Sequence, residues 1–268
     1  MRKYWHVINV GIQNTLVYRL NFLFRAAFGL IPLTATIFLW QAVFAGKPDA
    51  ATVATYSLAE MISYYLIVTI VDALTAVTDD DWQIAGDIRE GTISQFLLKP
   101  IDYLYYRLCL FFSGRMIYCV VAALPVALFI FYLRKYFVLP ADLPTLGWFF
   151  VAVFLTAMLQ FLISFTMAML AFWVLEVSTF IFILFAIEYI AGGHLFPLDI
   201  LPPLVSQALD FTPFPYQMFF PVSVYLGKTS GAVLGWGLVV QALWVMVLYG
   251  LARLIWSRGV RKYAAFGG

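Results

Sequence analysis

Charge is scarce in this chain of 268 residues: Asp, Glu, Lys and Arg together make up 11% of it. Soluble domains carry about 25%, so water cannot be its whole solvent. Cysteine is almost missing, with Cys109 and Cys119 the only two. They form no CxxC spacing and no Cys/His cluster, which argues against a disulfide framework or a metal site. Histidine is equally rare. His6 and His194 fall in distant parts of the chain and do not supply the convergent set that a membrane-embedded enzyme needs, so no catalytic residue is assigned.

What is present is apolar. Hydrophobic residues make up 64% of the chain, with 26 Phe, 16 Tyr and 8 Trp. Runs of about twenty apolar residues recur roughly six times, and each matches a hydrocarbon core of about 30 Å at 1.5 Å per residue. The expectation is a single all-α integral membrane domain over 1–268 with six transmembrane helices, its function carried by lipid-embedded polar residues and the few segments between spans. The opening Met1-Arg2-Lys3-Tyr4-Trp5-His6 reads as a retained segment and not as a cleaved signal peptide.

Residues 1–20 place Trp5, Ile8, Ile12 and Leu16 at helical spacing against Lys3, Asn9, Gln13 and Asn14, the pattern of an amphipathic helix in the membrane interface. Spans are expected at about 26–44, 56–77, 116–133, 146–175, 178–192 and 231–256. The third, for which a start as early as Leu108 is an alternative, carries Pro125, a candidate kink. The fifth is short for a full crossing. Between the last two, residues 194–222 stay apolar yet hold six of the chain's 12 prolines. Such a stretch reads as short broken helices that dip into the outer leaflet and return, shielded by protein or water.

Twelve Lys and Arg fall on the side of the termini and four, Lys47, Arg134, Lys135 and Lys228, on the other. That bias predicts a cell-membrane protein with both termini, and the polar segment 79–102, in the cytoplasm. Glu60, Asp72 and Glu188 lie within spans, where burial of charge is costly, so with His194 they are the candidates for a translocation path. Glu60 and Glu188 are expected towards the outer half. The bland alternative is a structural ion pair, for Asp72 with Arg25 or Arg115. The Asp79-Asp80-Asp81 run reads as a solvated helix end and not as a cation site. Gly227-Lys228-Thr229 has the ending of a phosphate loop, but Val222 stands where its first glycine belongs, so no ATP site is expected in this chain.

Within 79–102, Thr92 is placed to cap a short helix whose Ile93, Phe96 and Leu97 share a face, and Pro100 stops it. Such a helix either lies on the bilayer surface or fills a groove on a soluble partner. The run Asp87-Ile88-Arg89-Glu90-Gly91-Thr92-Ile93-Ser94-Gln95-Phe96-Leu97-Leu98-Lys99-Pro100 resembles the coupling segment of ABC transporter permeases of the type-2 exporter branch. The run Gly193-His194-Leu195-Phe196-Pro197-Leu198-Asp199-Ile200-Leu201-Pro202 resembles that family's re-entrant element, and Arg258-Gly259-Val260-Arg261-Lys262-Tyr263 is similar to its C-terminal end.

The resemblance covers essentially the whole chain in order. It implies an alternating-access export permease that pairs with a second permease, identical or related. Two ATPase subunits, which bind ATP and Mg, would dock on Gly91, Thr92, Ile93, Phe96, Leu97 and Leu98. The cargo expected is amphipathic or lipid-linked, membrane lipid is the surrounding partner, and nucleic acid is not a partner. An ion-coupled secondary carrier and a membrane-embedded enzyme are the two alternatives.

Overall fold

A computed structural model describes residues 2–46, 48, 52–77 and 80–263; Lys47, Asp49 and Asp79 lie outside the described residues, as does the side chain of Asp80. Among the described residues all regular structure is helical, apart from one isolated pairing of Val53 with Tyr56. The helices are α1 (Arg2–Val17), α2 (Arg19–Phe44), α3 (Leu58–Thr75), α4 (Asp80–Arg89), α5 (Ile93–Leu97), α6 (Tyr103–Tyr132), α7 (Leu143–Ala168), α8 (Ser178–Ala191), α9 (Pro203–Asp210), α10 (Phe219–Tyr225) and α11 (Gly231–Lys262).

Five of them, α2, α3, α6, α7 with its short 3₁₀ extension, and α11, are long and apolar enough to cross a membrane. The sixth expected span is α8, whose 14 residues rise only about 21 Å. α6 begins at Tyr103, ahead of both the expected start near 116 and the earlier one through Leu108, and its Arg107 and Arg115 are both buried by neighbours. A hydropathy reading rejects those arginines; tertiary contacts make room for them. Asp102 caps the helix by accepting from the Tyr105 backbone N–H at 3.3 Å, and Pro125 sits inside it.

α3 is the central post. Met61 to Val68 is an unbroken run of buried residues on every side of the helix, unlike the lipid-facing α2. Ser57 caps it in a reciprocal box with Glu60: the Ser57 hydroxyl accepts from Glu60 N–H at 3.3 Å, and Glu60 accepts from Ser57 N–H at 2.8 Å.

Two apolar clusters occupy opposite ends. One joins α3 to the start of α7 and to α10; the other joins α4, α5, the start of α6, the end of α7 and the end of α11. α7 and α11 run parallel. Gln241 of α11 donates to the Ala152 carbonyl of α7 at 3.0 Å, and Phe172 beyond the end of α7 lies against Gly259 near the end of α11. The chain between them therefore travels back the length of α7, through α8 and the proline-rich segment.

That segment is broken as its prolines dictate, into a 3₁₀ turn at Leu198–Ile200, then α9 and α10. It is strapped along α3 by tyrosine hydroxyls. Tyr64 donates to the Gly193 carbonyl at 2.6 Å, Tyr65 to the Leu195 carbonyl at 2.9 Å, and Tyr56 to Asp199 at 2.8 Å. Gly193 takes φ +90°, and a Cβ there would meet the Tyr64 hydroxyl at 2.8 Å. Only glycine fits both the left-handed turn and that approach.

The N-terminal helix does not lie apart from the bundle. Ser113 of α6 donates to the Ile8 carbonyl at 3.2 Å, and Lys3 reaches the Pro100 carbonyl. At the other terminus Tyr263 lies edge-on to Phe172, 6.0 Å between centroids. Both ends of the described chain thus sit with α4 and α5.

Candidate functional site

Two places bring together the residues singled out in the sequence. The first is the corner formed by α4, α5 and the start of α6. Gly91 turns the chain at φ +79°, a conformation that disfavours any other residue. Thr92 makes no side-chain capping bond; instead the Ser94 hydroxyl donates to the Gly91 carbonyl at 2.7 Å. The expected apolar face is divided. Ile93 is fully buried, and Phe96 turns inward against Tyr103 and Tyr106, with centroids 5.2 and 4.9 Å away. Leu97 and Leu98 point out, 43% and 88% exposed. In a five-residue helix the side that the neighbours leave free decides this, and the helical spacing does not.

The corner is braced. Arg107 of α6 pairs with Asp87 of α4, donates to Gln83 at 3.0 Å and to the Tyr103 hydroxyl at 3.0 Å, and both ionic side chains are largely buried. Arg253 of α11 pairs with the cap residue Asp102. Tyr103 stacks on Trp256 at 5.1 Å and 9°. Movement of α5 is thereby tied to α4, α6 and α11 together.

The second place is a cavity of about 430 Å³ between α3, α7 and α8, reached also by Arg25 of α2 and by Asp81 and Trp82 of α4. Asp72, Glu188 and His194 all line it. His194 Nε2 lies 3.2 Å from Asp72 Oδ1, and Gln217 donates to Glu188 at 3.1 Å. Asp72 stands one turn from the end of α3, so the cavity belongs to the end of the bundle that carries α4. Glu188 shares that level and does not lie beside Glu60, because α8 begins near Trp82, whose ring meets Phe182 at 5.8 Å.

Glu60 is elsewhere. It is spent at the far end of α3 in its capping box and in an ion pair with Lys228 at 3.0 Å. Lys228 in turn donates to the Thr55 carbonyl at 2.8 Å and lies 4.2 Å over the Tyr56 ring.

Residues 30–267 match the family described as ABC-2 family transporter protein. The chain belongs to the ABC-2 transporter family. It is accordingly a multi-pass membrane protein, the permease component of an ABC transporter and a transport part rather than a catalyst. This membership sets aside the ion-coupled carrier and the membrane-embedded enzyme. No curated protein matches the chain.

The ABC-2 match takes in the α4–α5 corner, the cavity and the proline-rich segment, and it begins after α1. Sequence reasoning missed several cavity residues of this permease. Gln160 and Ser164 of α7, four apart on one helical face, line it, as do Trp82 and Gln217. Each is an isolated polar or aromatic residue in apolar sequence. The only available signal was the i, i+4 spacing of Gln160 and Ser164 within a span.

Proposed function

We propose that this permease is the membrane-spanning half of an ATP-driven exporter. Two copies, or this chain and a related one, form the translocation unit, and two cytoplasmic ATPase subunits bind ATP and Mg and drive it. The membrane is the cell membrane. Six crossings are counted by letting α8 and the proline-rich segment together make the fifth, which agrees with the parallel run of α7 and α11. Both termini and α5 then face the cytoplasm, in keeping with twelve of the sixteen Lys and Arg on that side.

The observation that carries the reading is the split face of α5. Ile93 and Phe96 anchor the helix to the bundle, while Leu97 and Leu98 are left as apolar knobs at the apex of a corner braced by Arg107 and Asp87. Exposed apolar knobs on a rigid mount suit a groove in a soluble partner. ATP-driven closure of the partner would move the corner as a unit. α6 and the end of α11 would carry the motion into the bundle and alternate the cavity between the two faces. The cargo is an amphipathic or lipid-linked molecule, since the cavity joins aromatic walls to a few charged groups.

The test is the double substitution Leu97→Asp, Leu98→Asp. Expression, membrane insertion and thermal unfolding should match the unaltered chain, while co-purification with the ATPase and ATP-driven transport are lost. Undiminished co-purification and transport would overturn the reading.

A further inference from the structure

A cleft of about 590 Å³ lies between α1, the start of α2, α4 and the first half of α6. At one side of it α1 is seated hard against α6: a Cβ on Gly11 would stand 2.9 Å from the Cβ of Ser113. The wall beyond that contact is polar, with Asn14, Tyr18, Asn21, Arg25, Gln83 and Arg115 lining it. Among the described residues no carboxylate lines the cleft.

The wall presents donors. Gln83 has its amide oxygen taken by Arg107 at 3.0 Å, which leaves its N–H groups to be given. The Arg25 guanidinium is exposed and makes no hydrogen bond or ion pair among the described residues. Asp72 shares an adjoining hollow of about 220 Å³ with Arg25 and Arg115, but it bonds to His194 at 3.2 Å. Neither Asp81 nor Arg115 is free, and neither is counted, so Arg25 is the cation on which the site is built. No charged residue follows it until Lys47. Arg25 therefore stands at the mouth of the apolar run of α2, the depth of lipid headgroups. A guanidinium offers a planar fork of N–H donors that matches two phosphate oxygens.

We propose that this cleft binds an anionic phosphate ester, with Arg25 holding two phosphate oxygens and the amides of Asn14, Asn21 and Gln83 donating to the rest of the headgroup. A phospholipid of the inner leaflet and a soluble phosphate ester offer this same chemistry. The lipid is favoured, because Phe22, Leu110 and Phe111 complete the wall and give acyl chains an apolar surface to lie against. Only the choice of leaflet rests on the orientation given above; the phosphate site does not.

The experiment uses the purified full-length chain in detergent, titrated with dioleoylphosphatidylglycerol or with dioleoylglycerol, which has the same chains and no phosphate. Native mass spectrometry counts the lipid retained. Saturable retention of one phosphatidylglycerol, without matching retention of dioleoylglycerol, is the expected result. Arg25→Gln should weaken it about tenfold or more, the worth of one charged contact. Arg25→Lys should restore part of the loss, since it returns the charge without the fork. Asn14→Asp, at an exposed position, should also weaken binding by placing a negative charge on the wall. Glycerophosphoglycerol, the headgroup without chains, is then added to the protein alone and in competition. If it binds as tightly as the lipid and displaces it, the site takes soluble phosphate esters; if it does not, the lipid is the ligand.

Equal retention of the two lipids would overturn the proposal. So would binding of neither phosphatidylglycerol nor glycerophosphoglycerol, or binding that ignores both Arg25→Gln and Asn14→Asp in monodisperse protein. None of these outcomes depends on the ATPase or on transport. Failure here would leave the Leu97 and Leu98 test standing, and failure there would leave this one readable.

Discussion

The imidazole of His194 and the carboxylate of Asp72 meet at 3.2 Å although 122 positions separate them. The contact fastens the turn that ends α8 to the last turn of α3. Beside it, Tyr64 holds the neighbouring Gly193 carbonyl from a fully buried position. The proline-rich segment is thus secured at its entry by two polar contacts, of which the fully buried Tyr64 bond has no water to compete with it.

Loss of those two contacts should loosen the same element. His194→Ala and Tyr64→Phe are each expected to cost about 1–3 kcal/mol, the second because it leaves a buried carbonyl without its donor. Hydrogen exchange at residues 192–197 should quicken in both, with little change at α5. The double variant should lose less than the sum of the two, since both act on one turn.

Arg107 and Asp87 supply a sharper loss. Removing the arginine leaves Asp87 charged and largely buried, with Gln83 and Tyr103 deprived of their partner as well. Arg107→Ala is expected to cost about 3–5 kcal/mol. Thermal unfolding in detergent should drop, and the Asp87→Asn, Arg107→Gln pair should recover part of the difference because it removes both charges.

Packing at the end of α11 makes a steric prediction. A Cβ on Gly259 would stand 2.2 Å from the Phe172 ring, so Gly259→Ala should destabilise by about 1–3 kcal/mol through overcrowding. Phe172→Leu in the same chain should relieve it, a rescue that thermal unfolding can read.

The loop before α8 is sensitive to acid. The Ser178 hydroxyl and backbone N–H both donate to Glu176, and these bonds hold its carboxyl below the usual carboxylate range. A depressed value means that the contribution is present above the ordinary carboxylate pKa and is lost as pH falls through the folded value. Amide exchange at the first turn of α8, corrected for its intrinsic pH dependence, should show added opening on acidification. Glu176→Gln should abolish that acid-dependent component.

Much of this organisation was legible in the linear sequence. Apolar run lengths located α2, α3, α7, α8 and α11 to within a few residues at most ends, and the six prolines of 194–222 announced the broken segment. The start of α6 was only partly legible, as far back as Leu108, because Arg107 and Arg115 look like solvent residues until their neighbours are known. The division of α5 was hidden for a related reason. Ile93, Phe96 and Leu97 share a helical spacing, but the rings of Tyr103 and Tyr106 claim only the first two.

Composition and run length by themselves determined that lipid is the solvent and that helices span it, because an apolar backbone segment must satisfy its own hydrogen bonds there. Local residue chemistry likewise set the turn at Gly91 and the breaks after Ala191. Only the tertiary structure decided which charges meet. Asp72, Glu188 and His194 converge on one cavity while Glu60 is drawn off to Lys228, since spacing along a helix says which face a side chain is on but not which distant segment lies opposite.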